Sequence, residues 1–359
     1  MGDQRILKTV LKVLKTGLAI GLIGGVGYRL AHRAGDNGKP VLRVCAWSNY
    51  LPDEVLEEFR SRTGIKVELS LVSSNEELFA KLKAGATGFD VIQPSDYMSR
   101  QMIRLGMLRE IDHDQLKNLG NLMEDSRNPA WDPELKYTIP FSWGTTGLVI
   151  NTNKITLSPG EVPGWGMLFE TPDPKHTSLL DDMREVFSAM LIWKGLTPNV
   201  RDSQQLFVAQ ENLKAIREKI LMFTSEPRQY LARSELNIAH AYSMDAIQAS
   251  DVRPEFKFFI PREGAVRWAD NFAIPASATH VTEALQFIDF TLEASIASQL
   301  ALKGRFSTPN RAAWELLPDS EKTNPALYPS ADTMARLHYL EDLGDALIVM
   351  NRMWAELKI

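Results

Sequence analysis

From residue 41 onward, short apolar runs alternate with amphipathic helical patterns, and this alternation constrains the fold more than any other feature of the chain. VLRVCAW (41–47) reads as a strand. LPDEVLEEFRSRTG follows it, placing Val55, Leu56 and Phe59 on one helical face and ending at Gly64. IKVELSLV then reads as a second strand, NEELFAKLKAG as a helix with Gly85 at its end, and FDVIQPS as a third strand. Such an order predicts a mainly parallel sheet covered by helices on both faces, with ligands beyond the carboxyl ends of its strands. Three segments occupy that position: Trp47-Ser48-Asn49-Tyr50, Ser73-Ser74-Asn75 and Pro94-Ser95-Asp96-Tyr97.

TIPFSWGTTGLVINTNKI is extended and rich in Gly and Thr, which suits a crossing between two lobes. The pattern then restarts with SLL, an acidic helix in DDMREVFSAM, a long helix near 204–220, a strand in NIAHAYS ending at Tyr242, and another in FKFFIP. Alternation from Val266 to Ile274 predicts a return strand with Trp268 and Asp270 on one face and Arg267 turned away from it. Helices dominate the remainder.

The 359 residues are 44% apolar and 24% charged, enough for two domains with ample core. Residues 1–40 hold seven Lys/Arg and two Asp, a net of +5, which leaves −10 on the body of a chain whose total is −5. An acidic body disfavours nucleic acid and attracts cations weakly; it also serves solubility. The N-terminus places basic residues before an apolar run from Gly17 to Val26, the layout of an export signal, and the run is shorter than the roughly 18 residues of a membrane span. Gly25-Val26-Gly27 is the only small-x-small candidate for cleavage near the end of the run, so an uncleaved anchor stays open; no cysteine follows it to carry a lipid. Cys45, the single cysteine, lies in an apolar strand pattern and reads as a buried, inert thiol.

Catalytic signatures are missing: there is no G-x-S-x-G, H-E-x-x-H or Walker loop, and His32, His113, His176, His240, His280 and His338 lack ligand spacing. Asp182 and Glu185 sit one turn apart on one helix and do not flank a bond from opposite sides as a glycosidase pair must. No enzyme, cofactor or metal is expected. Asp181, Asp182 and Glu185 have a purely structural explanation, since carboxylates cap helix N-termini and offset the dipole. They also have a binding explanation. Strand ends and the crossing bring Trp47, Tyr50, Tyr97, Tyr242 and Trp268 toward one region with Asp182, Glu185 and Asp270. Aromatic faces attract organic cations and cover methylenes, and carboxylates accept ammonium N–H groups. Each ring taken singly is better explained as a core or surface residue of its own lobe.

WSNYLPDEVLEEFRSRTGIKVELSLVSSNEELFAKLKAGATGFDVIQPSDYM, IPFSWGTTGLVINTNKI, LLDDMREVF, WADNFAIPASA and FSTPNRAA resemble, in order, the blocks of the spermidine/putrescine-binding proteins of polyamine ABC transporters. The resemblance runs from about residue 41 to the end. It implies a type II periplasmic-binding-protein fold of class α/β, two α/β lobes joined by crossing hinge strands with the ligand cleft between them. Residues 1–38 would then be an export signal or anchor with its linker, 39–145 and 270–315 one lobe, and 146–269 and 316–359 the other. It implies that Asp182, Glu185 and Asp270 bind amine groups, that Trp47, Trp268 and Tyr242 sandwich the alkyl chain, and that Ser48, Ser95, Tyr50 and Tyr97 complete the hydrogen bonds. Asp181 keeps the capping role, and Asp96 is a candidate acid at the rim whose favoured reading is a turn residue facing solvent. The chain departs from the family where Tyr242 replaces a Trp, Leu340 a Gln for which Glu341 is a candidate substitute, and Phe306 a Tyr. The partners implied are a polyamine and a membrane permease, with a monomeric, extracytoplasmic protein between them. A carrier of another cationic solute, and a sensor ectodomain without transport, remain alternatives.

Overall fold

The computed structural model describes residues 41–85, 88–170 and 173–358; the segment 1–38, read as an export signal or anchor, lies outside them. In chain order the elements used below are β1 (Val41–Trp47), α1 (Asp53–Thr63), β2 (Lys66–Val72), α2 (Asn75–Lys83), β3 (Val91–Ile92), α3 (Asp96–Arg104), β4 (Thr138–Asn151), β5 (Thr177–Leu180), α4 (Met183–Trp193), β6 (Met222–Thr224), β7 (Ile238–Tyr242), α5 (Ser243–Val252), β8 (Phe256–Phe259), β9 (Ala265–Ala273), β10 (Leu337–His338) and α6 (Ala346–Lys358). Helix α1 buries Val55 and Phe59 and stops at Gly64, whose φ of 74° is the left-handed conformation that glycine adopts at no steric cost.

Strands follow the order β2-β1-β3-β9-β4-β7-β5-β6, with β8 added on β4 and β10 on β9. The expected parallel pairing holds inside each half: β1 is parallel to β2 and β3, and β5 to β6 and β7. The middle of the sheet differs from that expectation. Strand β4 is antiparallel to β9, β7 and β8, and β9 is antiparallel to β3. The cause is connectivity. The chain leaves the first half along β4 and returns along β9, so the two crossing strands run in opposite directions. Strand β4 pairs with β9 over Thr138–Thr145 and with β7 over Thr146–Ile150, and all fourteen of its residues are buried.

Two large apolar clusters form, one in each half. Leu42, Val44, Phe59, Phe272, Phe287 and Ile288 belong to the first, and Leu180, Val186, Phe187, Leu206 and Met350 to the second. Leu317 and Tyr328 pack with the first cluster, whereas Leu343 and Leu357 pack with the second. The tail therefore returns to the second half later than the 315/316 boundary read from the sequence. Cys45 is buried, and burial pushes its thiol up to about 11, so it remains a protonated packing group. Among the described residues no helix is long and apolar enough to cross a membrane.

Candidate ligand-binding site

A cavity of about 370 Å³ lies where the carboxyl ends of the parallel strands from both halves meet. Its walls come from the turns after β1 (Trp47–Tyr50), β2 (Ser73, Ser74), β3 (Ser95–Tyr97), β5 (Asp181, Asp182, Glu185), β6 (Ser225, Glu226, Arg228) and β7 (Tyr242, Met244, Asp245), with Trp268 and Asp270 from β9. All ten residues expected from the sequence to bind ligand line this one space: Trp47, Ser48, Tyr50, Ser95, Tyr97, Asp182, Glu185, Tyr242, Trp268 and Asp270. Eight carboxylates line it (Glu77, Asp96, Asp181, Asp182, Glu185, Glu226, Asp245, Asp270) against one guanidinium, Arg228. Glu77 and Asp181 are already ion-paired with Lys81 and Lys358. Asp96, Asp182, Glu185 and Asp270 have no ion-pair partner among the described residues within 4.0 Å.

Asp270 is held on both sides. The Tyr50 hydroxyl donates to Oδ2 at 2.7 Å and the Ser95 hydroxyl to Oδ1 at 2.6 Å, while Asn75 donates its Nδ2–H to Ser95 Oγ at 3.1 Å and accepts the Ser95 N–H at 3.1 Å. Alternation along β9 aims Asp270 and Trp268 into the cavity, and Arg267 turns the other way to lie over the rings of Trp143 and Tyr339, as expected. Burial lifts the Asp270 carboxyl to about 6 although Ser95, Tyr50 and Trp47 hold it down. Trp268 fits against β4 here because residue 144 is glycine: a Cβ there would stand 2.3 Å from the indole ring.

The opposite wall is the start of α4. Asp182, not Asp181, is the N-cap: its Oδ1 accepts the Glu185 N–H at 3.1 Å, and its Oδ2 accepts from the Tyr242 hydroxyl at 3.1 Å. Asp181 stands at the rim with Lys358 at 2.6 Å, so the division of roles read from the sequence is corrected. A capping residue takes extended backbone, and at Asp182 (φ −135°, ψ 115°) the side chain can reach both the helix and the cavity. Glu185 is 4% exposed, and its Oε2 is buried with no hydrogen-bond partner. Burial first, then Asp182, raises its carboxyl well above the usual range.

Three further groups were missed or misread in the sequence. Asp96, expected to face solvent, is 1% exposed; its Oδ1 accepts the Tyr97 N–H at 2.6 Å, its Oδ2 is unpartnered, and burial pushes it up to about 8. Asp245 lies in the first turn of α5, three residues after Tyr242, and burial pushes it up to about 7. Arg184 is 1% exposed and sits behind the acids, 5.1 Å from the Tyr97 ring, donating to the Glu341 carbonyl at 2.9 Å and to Asn199 at 3.3 Å. Its positive charge holds down Asp96, Asp182, Glu185 and Glu76. The sequence signal for Arg184 was its place between Asp182 and Glu185; nothing local marks it as buried.

Other details differ from expectation. Tyr242 and Trp268 meet edge to face, with centroids 6.0 Å apart at 89°, so they make two walls of a corner and not two parallel faces of a sandwich. The Tyr97 hydroxyl donates to Glu76 at 3.2 Å, while those of Tyr50 and Ser95 donate to Asp270, so these three groups chiefly orient acids. Leu340 lines the cavity, but the Glu341 carboxylate faces Arg201 at 3.5 Å on the surface and does not replace the missing amide. Phe306 is buried against Tyr50 and Phe141, at centroid distances of 5.2 Å to each.

Several known proteins are similar to this chain along most of its length. The spermidine/putrescine-binding periplasmic protein 1 of Haemophilus influenzae is 36% identical over 315 residues, covering 87% of this chain and 87% of its own length. The putrescine-binding periplasmic protein SpuD of Pseudomonas aeruginosa is 32% identical, covering 96% of this chain and 98% of its own. Among solved structures, a spermidine/putrescine ABC transporter protein from Listeria monocytogenes superposes with a TM-score of 0.85 at 28% identity, over 89% of this chain and 99% of that one. The fold is thus the two-lobed periplasmic-binding type expected from the sequence. Residues 54–328 match the family model described as bacterial extracellular solute-binding protein, and the chain belongs to that family.

Proposed function

We propose that the protein is the extracytoplasmic binding component of an ABC transporter, taking a polyamine such as putrescine or spermidine into the cleft and delivering it to a membrane permease. The observation that carries this reading is the charge of the cavity: eight carboxylates line it against one guanidinium, and those of Asp182, Glu185 and Asp270 meet from two halves of the molecule around Trp47, Tyr242 and Trp268. A buried acid without a partner is costly, and an ammonium group that donates to it removes that cost. A quaternary amine has no N–H to donate, so the same acids favour primary and secondary amines. The relatives' names describe binding of spermidine and putrescine, not catalysis.

In this reading Asp182, Glu185 and Asp270 neutralise ammonium groups, Trp47, Tyr242 and Trp268 cover methylenes, and Ser48, Ser95, Tyr50 and Tyr97 complete or support the hydrogen bonds. Ligand draws together a first lobe (39–145 and 270–315, with the tail through Tyr328) and a second (146–269 and the rest), about β4 and β9, and the permease reads the closed form. The protein works as a monomer outside the cytoplasmic membrane, with residues 1–38 as export signal or tether. Titration calorimetry with putrescine, spermidine, arginine and betaine tests it. Heat from the polyamines and none from betaine is expected; folded protein that binds no amine would leave the sensor reading in its place.

A further inference from the structure

We propose that Gly144 is the positioning residue of Trp268: the absence of a side chain there sets the clearance through which an unbranched alkyl chain crosses the indole ring. This rests on the polyamine reading above and adds to it a residue that does not itself line the cavity. Pairing of β4 with β9 and β7 sets Ser142 opposite Asp270, Gly144 opposite Trp268 and Thr146 opposite Tyr242. Directly opposed residues of an antiparallel pair lie on one face of the sheet. Alternate residues of β4 therefore form a floor beneath three side chains that line the cavity. The intervening residues face the other way, as Arg267 does over the Trp143 ring at 4.4 Å.

The backbone does not call for glycine at 144, which has no left-handed φ. The need is for space. A Cβ there would stand 2.3 Å from Cζ2 and 2.7 Å from Cη2 of Trp268, and 2.8 Å from Ser243 Oγ. Neither the strand nor the serine is free to withdraw. All fourteen residues of β4 are buried and the strand is paired along its length, while Ser243 Oγ accepts the Thr145 N–H at 3.3 Å. Tyr242 stands edge to face with the indole at 6.0 Å and closes a further side. Trp268 is 6% exposed, so the cavity is the open space left to it. One added carbon at 144 would drive the ring into the cavity by ~1 Å, the shortfall from a carbon–carbon contact of roughly 3.5 Å. A chain held at both ends by acids of the two walls cannot back away from that ring without lengthening its charged hydrogen bonds.

The test measures putrescine and spermidine by titration calorimetry at pH 8 on the wild-type protein, Gly144→Ala, Trp268→Phe and the double variant. The shorter phenylalanine ring has no atoms at Cζ2 and Cη2, so Trp268→Phe removes the partner of the clash. Gly144→Ala should weaken both amines ~10-fold or more, the cost of overpacking by one carbon. Trp268→Phe alone should weaken them ~3- to 10-fold through lost ring area. The double variant should match Trp268→Phe within about twofold, because the two changes act through one contact. Losses that add in the double variant overturn the proposal. So does a Gly144→Ala protein of unchanged affinity, whatever its melting temperature, because the glycine would then serve packing alone. Should Gly144→Ala fail to fold, the double variant decides: folded and binding like Trp268→Phe it supports the proposal, and unfolded it overturns it. Wild-type protein that binds neither amine overturns the polyamine reading itself.

Discussion

The two walls of the cleft carry the same chemistry in opposite states of completion. On the first wall Asp270 is held by Tyr50 and Ser95, with Asn75 behind, so its direction is fixed before any ligand arrives. On the second wall Glu185 keeps a buried oxygen without a donor, and Asp182 divides its oxygens between a helix end and Tyr242. One wall is an oriented anchor; the other is left under-satisfied, and the ligand completes it. Such a division lets the second wall gain most from closure on a cation, because the free protein bears the cost of its unpaired acid.

The largest expected effects test that contrast. Asp270→Asn and Glu185→Gln should each weaken polyamine binding about 10- to 100-fold, the range of one charged hydrogen bond. Their ligand-free stabilities should part. At pH 8 Glu185→Gln should raise the melting temperature, because it removes a buried carboxyl that Asp182 opposes and whose Oε2 has no donor. Asp270→Asn should leave it unchanged or lower, because the Tyr50 or the Ser95 hydroxyl loses its acceptor. Equal thermal shifts in the two variants would erase the distinction between the walls.

Next in size is the pH dependence. Asp270, Asp245 and Asp96 stand at about 6, 7 and 8, all raised chiefly by burial, and a bound cation needs them ionised. Affinity should therefore rise as pH increases from about 5 to about 8, with protons released on binding and seen as a dependence of the heat on buffer. The sign for the ligand-free protein is the reverse. Folded values raised above the unfolded ones give stability that is present near pH 4 and lost as pH rises through about 6 to 8. A flat affinity across that window would mean that the acids do not meet the ligand.

Smaller effects sharpen the same picture. Tyr50→Phe removes one of two donors that orient Asp270 and should cost about 2- to 10-fold in affinity, as one neutral hydrogen bond does. Asp181→Asn should change affinity by less than about twofold, since Asp181 is paired with the half-exposed Lys358 at the rim. If Asp181→Asn matched Asp270→Asn, the assignment of the cap to Asp182 would have no functional meaning.

How far these walls were legible in the sequence follows from how local their causes are. The Trp268-x-Asp270 alternation and the one-turn spacing of Asp182 and Glu185 are properties of a single element, and both survived folding as read. Asp181 and Asp182 could not be told apart, because which of two adjacent acids caps a helix depends on where the backbone leaves β5. Asp96 was misread for a different reason. Pro-Ser-Asp-Tyr is a turn by its local chemistry, and Asp96 becomes buried only when β9 and Arg184 arrive from distant parts of the chain. The antiparallel middle of the sheet likewise depends on β4 and β9 crossing in opposite directions, which no local period encodes.

A crystal structure of the protein grown with spermidine reaches furthest into these relations. The expected density shows one terminal nitrogen within hydrogen-bonding distance of Asp270 and the other within reach of Asp182 and Glu185, with the alkyl chain in the corner of Tyr242 and Trp268. Spermidine lying outside this cavity, or bound there with its nitrogens turned away from both acidic walls, would contradict the claim that carboxylates from two halves of the molecule jointly hold the ligand.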